Sequence, residues 1–415
     1  MSAATPSGTT GRVGRPLLAV FGATFVIRFA FGITTAIFAS YLLGESQGIG
    51  GAAIGTVGIV IAMSPIGEFT TVLFAGVAAD RWGRWRVLVS GMAAASVLTA
   101  LVSTTRNAVT LGAINLLFGV ASGAILAASL ALVADASGAE ERGLEMGRFD
   151  AMNLSGWVLG FAFGFAALAA VPNSELGATF LLSAAVLAAG VLFVMLAVRH
   201  RPRFTPRPST MRRLLAGALR RPDVWLVTLP WLVIYMLIGT ALAFLGSSSG
   251  AVGIPPIYLA VLIGGGGLLL VLTQPFFGGL SDRVGRMRLL GVGTAGFVLV
   301  MVAAGLIASY GALPVLLALA GIGIVGALAY GPAALAALAD LSESISRATT
   351  MAIYTLTISL GMVLGLVLST TLYAQLGTVG IDLFFAGIST TLVALTLVRW
   401  HRIRAGTIGI TTPAR

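Results

Sequence analysis

Long apolar runs alternate with short polar breaks along this chain, from near its first residue to near its last. Twelve runs stand out, at about 16–43, 53–79, 87–104, 107–134, 147–171, 176–198, 223–246, 253–280, 287–308, 311–339, 348–374 and 379–399. A helix rises about 1.5 Å per residue, so roughly 20 apolar residues cross a hydrocarbon layer about 30 Å thick. The runs meet that length and lack the period-two alternation of a membrane strand. The pattern predicts an all-α membrane protein with twelve transmembrane helices and connections too short for a soluble domain. The polar start, with Arg12 and Arg15, leads into a run too long for a signal-peptide core, so the first helix is read as retained.

The pattern also repeats. Gly76-x-x-x-Asp80-Arg81-x-Gly83-Arg84-x-Arg86 recurs 202 residues later as Gly278-x-x-x-Asp282-Arg283-x-Gly285-Arg286-x-Arg288. Each copy sits where an apolar run meets a short basic loop and another run begins. A second register starts from Asp135 and Asp340. Arg142, Met146, Gly156 and Gly160 follow the first at the same intervals at which Arg347, Met351, Gly361 and Gly365 follow the second. The chain therefore reads as two six-helix halves, 1–198 and 223–415. The stretch between them, 199–222, carries eight arginines. From Ser209, a candidate cap, it has the pattern of a short amphipathic helix, which fits an interfacial linker.

Composition narrows the chemistry. With 58% of residues hydrophobic and 9% charged, the chain must face lipid. All 25 basic residues are arginine. Without lysine there is no P-loop grip on a nucleotide and no Schiff base. Without cysteine there is no thiolate-metal, iron–sulfur or disulfide chemistry. The two histidines, His200 and His401, lie beside arginines just outside runs six and twelve, where an interface role suits them better than a metal site. No cofactor is implied, and no run holds a histidine or cysteine around which an enzyme could be built. The net charge of +11 is distributed one-sidedly. Twenty-three of the 25 arginines fall on the side of the termini and even-numbered connections; Arg106 lies opposite and Arg28 within a run. By the positive-inside rule both termini are cytoplasmic, and the expected location is the cytoplasmic membrane. The basic charge orients the chain and attracts lipid headgroups; it is not a nucleic-acid patch.

Twelve runs in two halves, with this motif between runs two and three and again between eight and nine, resemble the major facilitator superfamily across essentially the whole chain. The resemblance implies two pseudo-symmetric six-helix bundles about a central cavity that opens alternately to each side, with substrate held near the midplane. It also suggests that Asp80 faces the start of run eleven near Arg347. A carboxylate there gains roughly 0.3–2 kcal/mol from the helix N-terminus, and opening that side would break the contact. Asp282 would mirror it against run five, with Arg148 as a charge partner. Arg84 is expected to reach Asp135, and Arg286 to reach Asp340. Gly76, Arg81, Gly83, Gly278, Arg283 and Gly285 complete this set, which either biases conformation or only shapes the two loops.

Features present in one half alone are candidates for specific work. Arg28 and Glu68 each lie twelve residues, roughly 18 Å of helix, from the cytoplasmic ends of their runs; the matching positions in the second half are the apolar Ile234 and Leu270. A charge at that depth costs at least about 2.5–3.5 kcal/mol, so a partner or a cavity is expected. Mutual pairing is the simplest account. The pair is then either a structural clamp or a coupling site, in which Glu68 takes up a proton and frees Arg28 for an anionic group. Run five places Asp150, Asn153, Trp157, Gly160 and Gly164 on one face. Asp150 is read as lining the cytoplasmic mouth; Asn153 and Trp157 face the cavity, or Trp157 faces lipid. Tyr235, Gln274, Tyr330 and Tyr354 are the polar-tipped residues of the second half, available to substrate or to a neighbouring helix. Drug/proton antiporters of the superfamily carry an arginine in run four where this chain has Asn115, and their run-five Gly-Pro motif is missing here. The first run, with Arg28, Gly32 and Tyr41, is similar to those of efflux members. The resulting expectation is a secondary transporter of a small organic solute, proton-coupled through Glu68, with import and export both open. Its rivals are an uncoupled facilitator or organic-anion carrier using Arg28, and a non-transporting sensor on the same scaffold. Expected partners are the solute, lipid and protons, with no nucleotide.

Overall fold

A computed structural model describes residues 15–43, 51–138, 140–197, 216, 220–251, 256–310, 314–342, 347–368, 387–388 and 391. Among them the regular structure is helical. The helices are α1 (Arg15–Leu43), α2 (Gly51–Trp82), α3 (Arg84–Val102), α4 (Ala108–Ala136), α5 (Arg142–Ala170) and α6 (Leu176–Ala197). They continue as α7 (Pro222–Ala251), α8 (Pro256–Val284) and α9 (Arg286–Tyr310). Pro314–Leu328 and Tyr330–Leu341, with a turn at Ala329 between them, form one span, α10, and α11 runs over Arg347–Leu368. Of the twelfth expected run only Gly387, Ile388 and Thr391 are described, and the amphipathic linker helix lies almost wholly outside the described residues.

Among the described residues, eight helices are long and apolar enough to cross a membrane. Their outward faces suit lipid: Ile59, Phe74, Val109 and Phe276 are all more than half exposed. Such a surface would be a liability in water and is ordinary against acyl chains.

Glycines set how the helices pack. Lipid removes the usual hydrophobic drive between helices, so close backbone approach and dispersion contacts must supply the association. A Cβ on Gly156 would meet the Phe25 carbonyl and, at 2.8 Å, Arg28 Cβ; one on Gly160 would meet the Phe29 carbonyl. These positions press α5 onto α1. In the second register, Gly361 and Gly365 do the same between α11 and α7, against the carbonyls of Leu232 and Met236. The glycines that repeat in the sequence thus do the same work in both places. Beyond these contacts, α2 packs on α4, α3 on α4 and α6, α9 on α10, and α5 on α8.

The expected basic loop between runs two and three is shorter than its sequence suggests. Helix α2 continues through Asp80 and Arg81 to Trp82, and α3 begins at Arg84, so only Gly83 connects them. Gly83 has φ 105° and Gly285, between α8 and α9, has φ 99°. Side chains disfavour that region, and a glycine there reverses the chain in one residue. The motif aspartates therefore sit on helix ends rather than in loops.

Candidate functional site

The two motif copies close one end of the molecule. Helix α5 starts without a side-chain cap of its own, and its first amides need acceptors. Asp282 provides them from α8: Oδ1 accepts from Gly143 N and Oδ2 from Leu144 N, both at 2.9 Å. Asp80 does the same for α11, accepting from Ala348 N at 3.2 Å and from both Thr349 N and Thr349 Oγ1 at 2.9 Å. Gly76 and Gly278 allow the approach, since a Cβ on the former would lie 2.9 Å from the Ala348 carbonyl and one on the latter would run into the Gly143 carbonyl. Arginines knit the two caps together. Arg84 binds Asp80 at 3.2 Å and also Asp135; Arg286 binds Asp282 at 2.7 Å and also Asp340. Arg347 joins Asp135 at 2.8 Å and Arg142 joins Asp340 at 2.5 Å. Asp135 thus takes both Arg84 and Arg347, and Asp340 both Arg286 and Arg142, a cross-link the motif alone did not reveal.

One expected contact is absent. Arg148 pairs with Glu145 at 2.5 Å, one turn away on α5, rather than with Asp282. Asp282 already accepts two backbone amides and Arg286, which leaves it little need of a further cation. Arg81 and Arg283 are exposed and take no part in this lock.

The chain has no cysteine, so one introduced at Ala352, buried beside Val72 at this closure, reports its opening. Asp80→Asn in that background should raise the rate of maleimide labelling at position 352 by about fivefold to thirtyfold, the equivalent of about 1–2 kcal/mol of lost charge–helix interaction. An unchanged rate would mean that the contact does not hold this end shut.

A second cluster lies deeper. Arg28 and Glu68 are 3% and 6% exposed, and Arg28 Nη2 is 3.8 Å from Glu68 Oε1. That is ion-pair range without a hydrogen bond. Arg28 Nε instead donates to Asn153 Oδ1 at 3.0 Å, and the guanidinium lies 5.7 Å from the centre of the Trp157 ring. Glu68 is held where α2 crosses α4, with Gly123 leaving room for its Cγ, and the hydroxyls of Ser122 and Ser359 face it. Asn153 and Asp150 are neighbours on α5, each 2% exposed.

Asp150, expected at the cytoplasmic mouth, is buried under neighbouring helices. A Cβ placed on Gly331 of α10 would lie 2.8 Å from Asp150 Oδ2, 3.3 Å from Gln274 Oε1 and 3.3 Å from the Trp231 ring. Because α8, α10 and α7 all converge on this stretch of α5, nearness to the helix end did not bring solvent. Trp231 stands beside Tyr354, Tyr330 and Tyr235, with ring centres 5.3, 5.7 and 5.9 Å away. Proline sits close to several of these residues: Pro65 less than a turn before Glu68, Pro230 next to Trp231 and Pro275 next to Gln274. Each removes an amide from its helix, which is tolerated in a membrane where the backbone is buried in protein or lines a cavity.

Two candidates serve packing instead. Asn115 Nδ2 donates to the Val60 carbonyl at 2.7 Å, tying α4 to α2, and the Tyr330 hydroxyl donates to the Val227 carbonyl at 2.6 Å. Trp157 faces Arg28 and packs on Phe31 and Phe161, so the lipid-facing alternative does not apply. Trp231 was overlooked, although it is an indole within a run, the signal that singled out Trp157. Ser122 and Ser359 carry no sequence signal that separates them from helix-bonded hydroxyls. Several buried polar atoms here have no hydrogen-bond partner: Glu68 Oε1, Trp157 Nε1, Trp231 Nε1, the Tyr354 hydroxyl and Thr355 Oγ1. Tyr235 adjoins Tyr354 without reaching hydrogen-bond geometry. Unmet polar atoms in a buried place cost free energy unless water or a ligand meets them. No group of three or more His, Cys, Asp or Glu side chains among the described residues is arranged to hold a metal.

A family model described as Major Facilitator Superfamily matches residues 20–250 and 232–410. Among solved structures, the crystal structure of the human organic anion transporter MFSD10 (TETRAN) superposes with a TM-score of 0.72 at 17% identity, covering 92% of this chain and 99% of that one. No curated protein matches the chain by sequence.

Proposed function

Since the chain belongs to the major facilitator superfamily, we propose that it is a secondary transporter which moves a small organic solute by alternating access and takes up a proton at Glu68. In this reading residues 1–198 and 223–415 are the moving halves, 199–222 is the cytoplasmic linker, and the arginine-rich end is cytoplasmic and shut. Solute binds among Arg28, Glu68, Asp150, Asn153, Trp157, Trp231, Tyr235, Gln274 and Tyr354.

The observation that carries the proposal is the separated pair: Arg28 and Glu68 lie 3.8 Å apart, buried, with Glu68 Oε1 accepting no hydrogen bond. A structural clamp gains most from short, saturated contacts. This pair instead keeps unspent capacity at a junction that reaches Ser359 of α11 from Arg28 of α1. Protonating Glu68 frees the guanidinium for an anionic group of the solute; releasing that group restores the ion pair and expels the proton.

The test uses proteoliposomes and a solute found by thermal-shift screening of sugars, organic anions and lipophilic cations, since a ligand of the folded form raises its apparent stability. With an imposed pH gradient, wild-type protein should accumulate that solute above equilibrium. Glu68→Gln should retain solute exchange and lose accumulation altogether. Full gradient-driven accumulation by the variant would remove Glu68 as the proton carrier. Uncoupled carriage of an anion on Arg28 is the second reading, favoured by the unpartnered Trp157 indole N–H beneath the guanidinium. In that case solute addition produces no pH change.

A further inference from the structure

We infer that the carried solute is a zwitterion, with its anionic group seated at Arg28 and Trp157 and a protonated amine seated on Asp150; this rests on the reading of the buried cluster as the transport site. The first ground is charge. One cation, Arg28, faces two carboxylates, Glu68 and Asp150, and all three are almost fully buried. Glu68 is within ion-pair range of Arg28. Asp150 has no arginine within that range among the described residues, so the site lacks one positive charge. Arg28 acts on Asp150 only from beyond that range; a buried carboxylate so weakly compensated is unfavourable, and a ligand ammonium supplies the closer charge.

The second ground is the donor left over at the other pole. Trp157 Nε1 is buried and unpartnered, on the indole whose ring lies 5.7 Å from the Arg28 guanidinium. An indole N–H can only donate. Next to a guanidinium, whose fork matches a carboxylate, it calls for an anionic acceptor.

The third ground is the set of groups gathered around Asp150. Where Gly331 packs onto α5, Asp150 Oδ2, Gln274 Oε1 and the Trp231 ring come together, 2.8, 3.3 and 3.3 Å from where a Cβ on Gly331 would stand. Oxygen acceptors and aromatic surface are what an ammonium group seeks. Trp231, Tyr235 and Tyr354 extend that surface, and the Tyr354 hydroxyl is unspent. Asp150 and Asn153 lie about 5 Å apart along α5, and Asn153 holds Arg28, so the two poles suit a molecule with separated charges. With Glu68 protonated, the loaded site is electrically neutral.

The experiment measures binding to the purified protein by calorimetry. The probes are amino acids of increasing charge separation, from glycine to aminocaproate, together with phenylalanine. Each is run beside its matched amine and its matched carboxylate. At least one zwitterion should bind about tenfold or more tightly than both of its singly charged relatives. Asp150→Asn should weaken that zwitterion by about 30-fold or more and leave the carboxylate unchanged, with no loss of ligand-free thermal stability because an unpaired buried charge is gone. Gly331→Ala should weaken the zwitterion and the amine without altering charge, because a Cβ 2.8 Å from Asp150 Oδ2 must displace that carboxylate.

The inference is overturned if no zwitterion binds, if a singly charged relative binds as well, or if both variants keep zwitterion affinity. Zwitterions that bind through Asp150 but are not moved in proteoliposomes would count against the transport reading alone. Transport of a singly charged solute that ignores Asp150→Asn would count against this inference alone.

Discussion

Arg28→Gln should abolish transport and lower stability by about 3–5 kcal/mol, the usual effect of stranding one member of a buried ion pair. The loss arises from what is left behind. Glu68 is 6% exposed, Arg28 is the guanidinium within ion-pair distance of it among the described residues, and its Oε1 already accepts no hydrogen bond. Removing Arg28 also strips Asn153 of a 3.0 Å hydrogen bond and Trp157 of a cation over its ring. The double variant Arg28→Gln/Glu68→Gln should regain most of the lost stability, because no uncompensated charge remains, and should stay inactive. Thermal unfolding in detergent and solute uptake in proteoliposomes measure the two effects separately. A single variant as stable as wild type would mean that Glu68 is already neutral and the ionic pairing is wrong.

Leucine at Gly119 or at Gly67 should prevent folding. These residues lie where α2 and α4 cross, and each meets the other helix's backbone: a Cβ on Gly119 overlaps the Ser64 carbonyl, and one on Gly67 overlaps the Leu116 carbonyl. Ordinary overpacking costs about 1–3 kcal/mol because neighbouring side chains adjust. Here the obstacle is helical backbone, which yields only if the helix axes separate, so the penalty should exceed about 3 kcal/mol. The same crossing places Glu68, whose amide would lie 3.0 Å from a Cβ on Gly119. Even a folded remnant should therefore have a displaced site. Gly138→Leu, where nothing lies within 4 Å, is the control and should behave as wild type. Size-exclusion profiles and melting temperatures of the three variants decide the matter; monodisperse protein at wild-type yield from Gly119→Leu would refute the crossing.

The closure at the arginine-rich end was largely readable beforehand. Asp80 meets Arg84, and Asp282 meets Arg286, because each pair lies within one helical hairpin whose register dictates who meets whom; the contacts of those arginines with Asp135 and Asp340 on other helices were expected from the family resemblance. Arg142 and Arg347 repeat in the sequence as well, yet their cross-pairing depends on how one set of helices docks on the other. No local spacing encodes that.

The buried cluster divides along the same line. Arg28 and Glu68 announced themselves because a charge in an apolar run is expensive wherever the run lies, so composition along the chain was enough to mark them as belonging together. Helical period likewise placed Asp150, Asn153 and Trp157 on one face. Depth along a single helix put Asp150 near the surface; α7, α8 and α10, folding over it, put it in the interior beside Gln274, Gly331 and Trp231. Asn115 and Tyr330 went the other way, taken up by carbonyls of neighbouring helices. Polarity within a run is a property of one residue and can be read in a line. Whether that polarity is spent on a neighbour or left for a ligand is a relation among helices distant in sequence, and it exists only once they have packed.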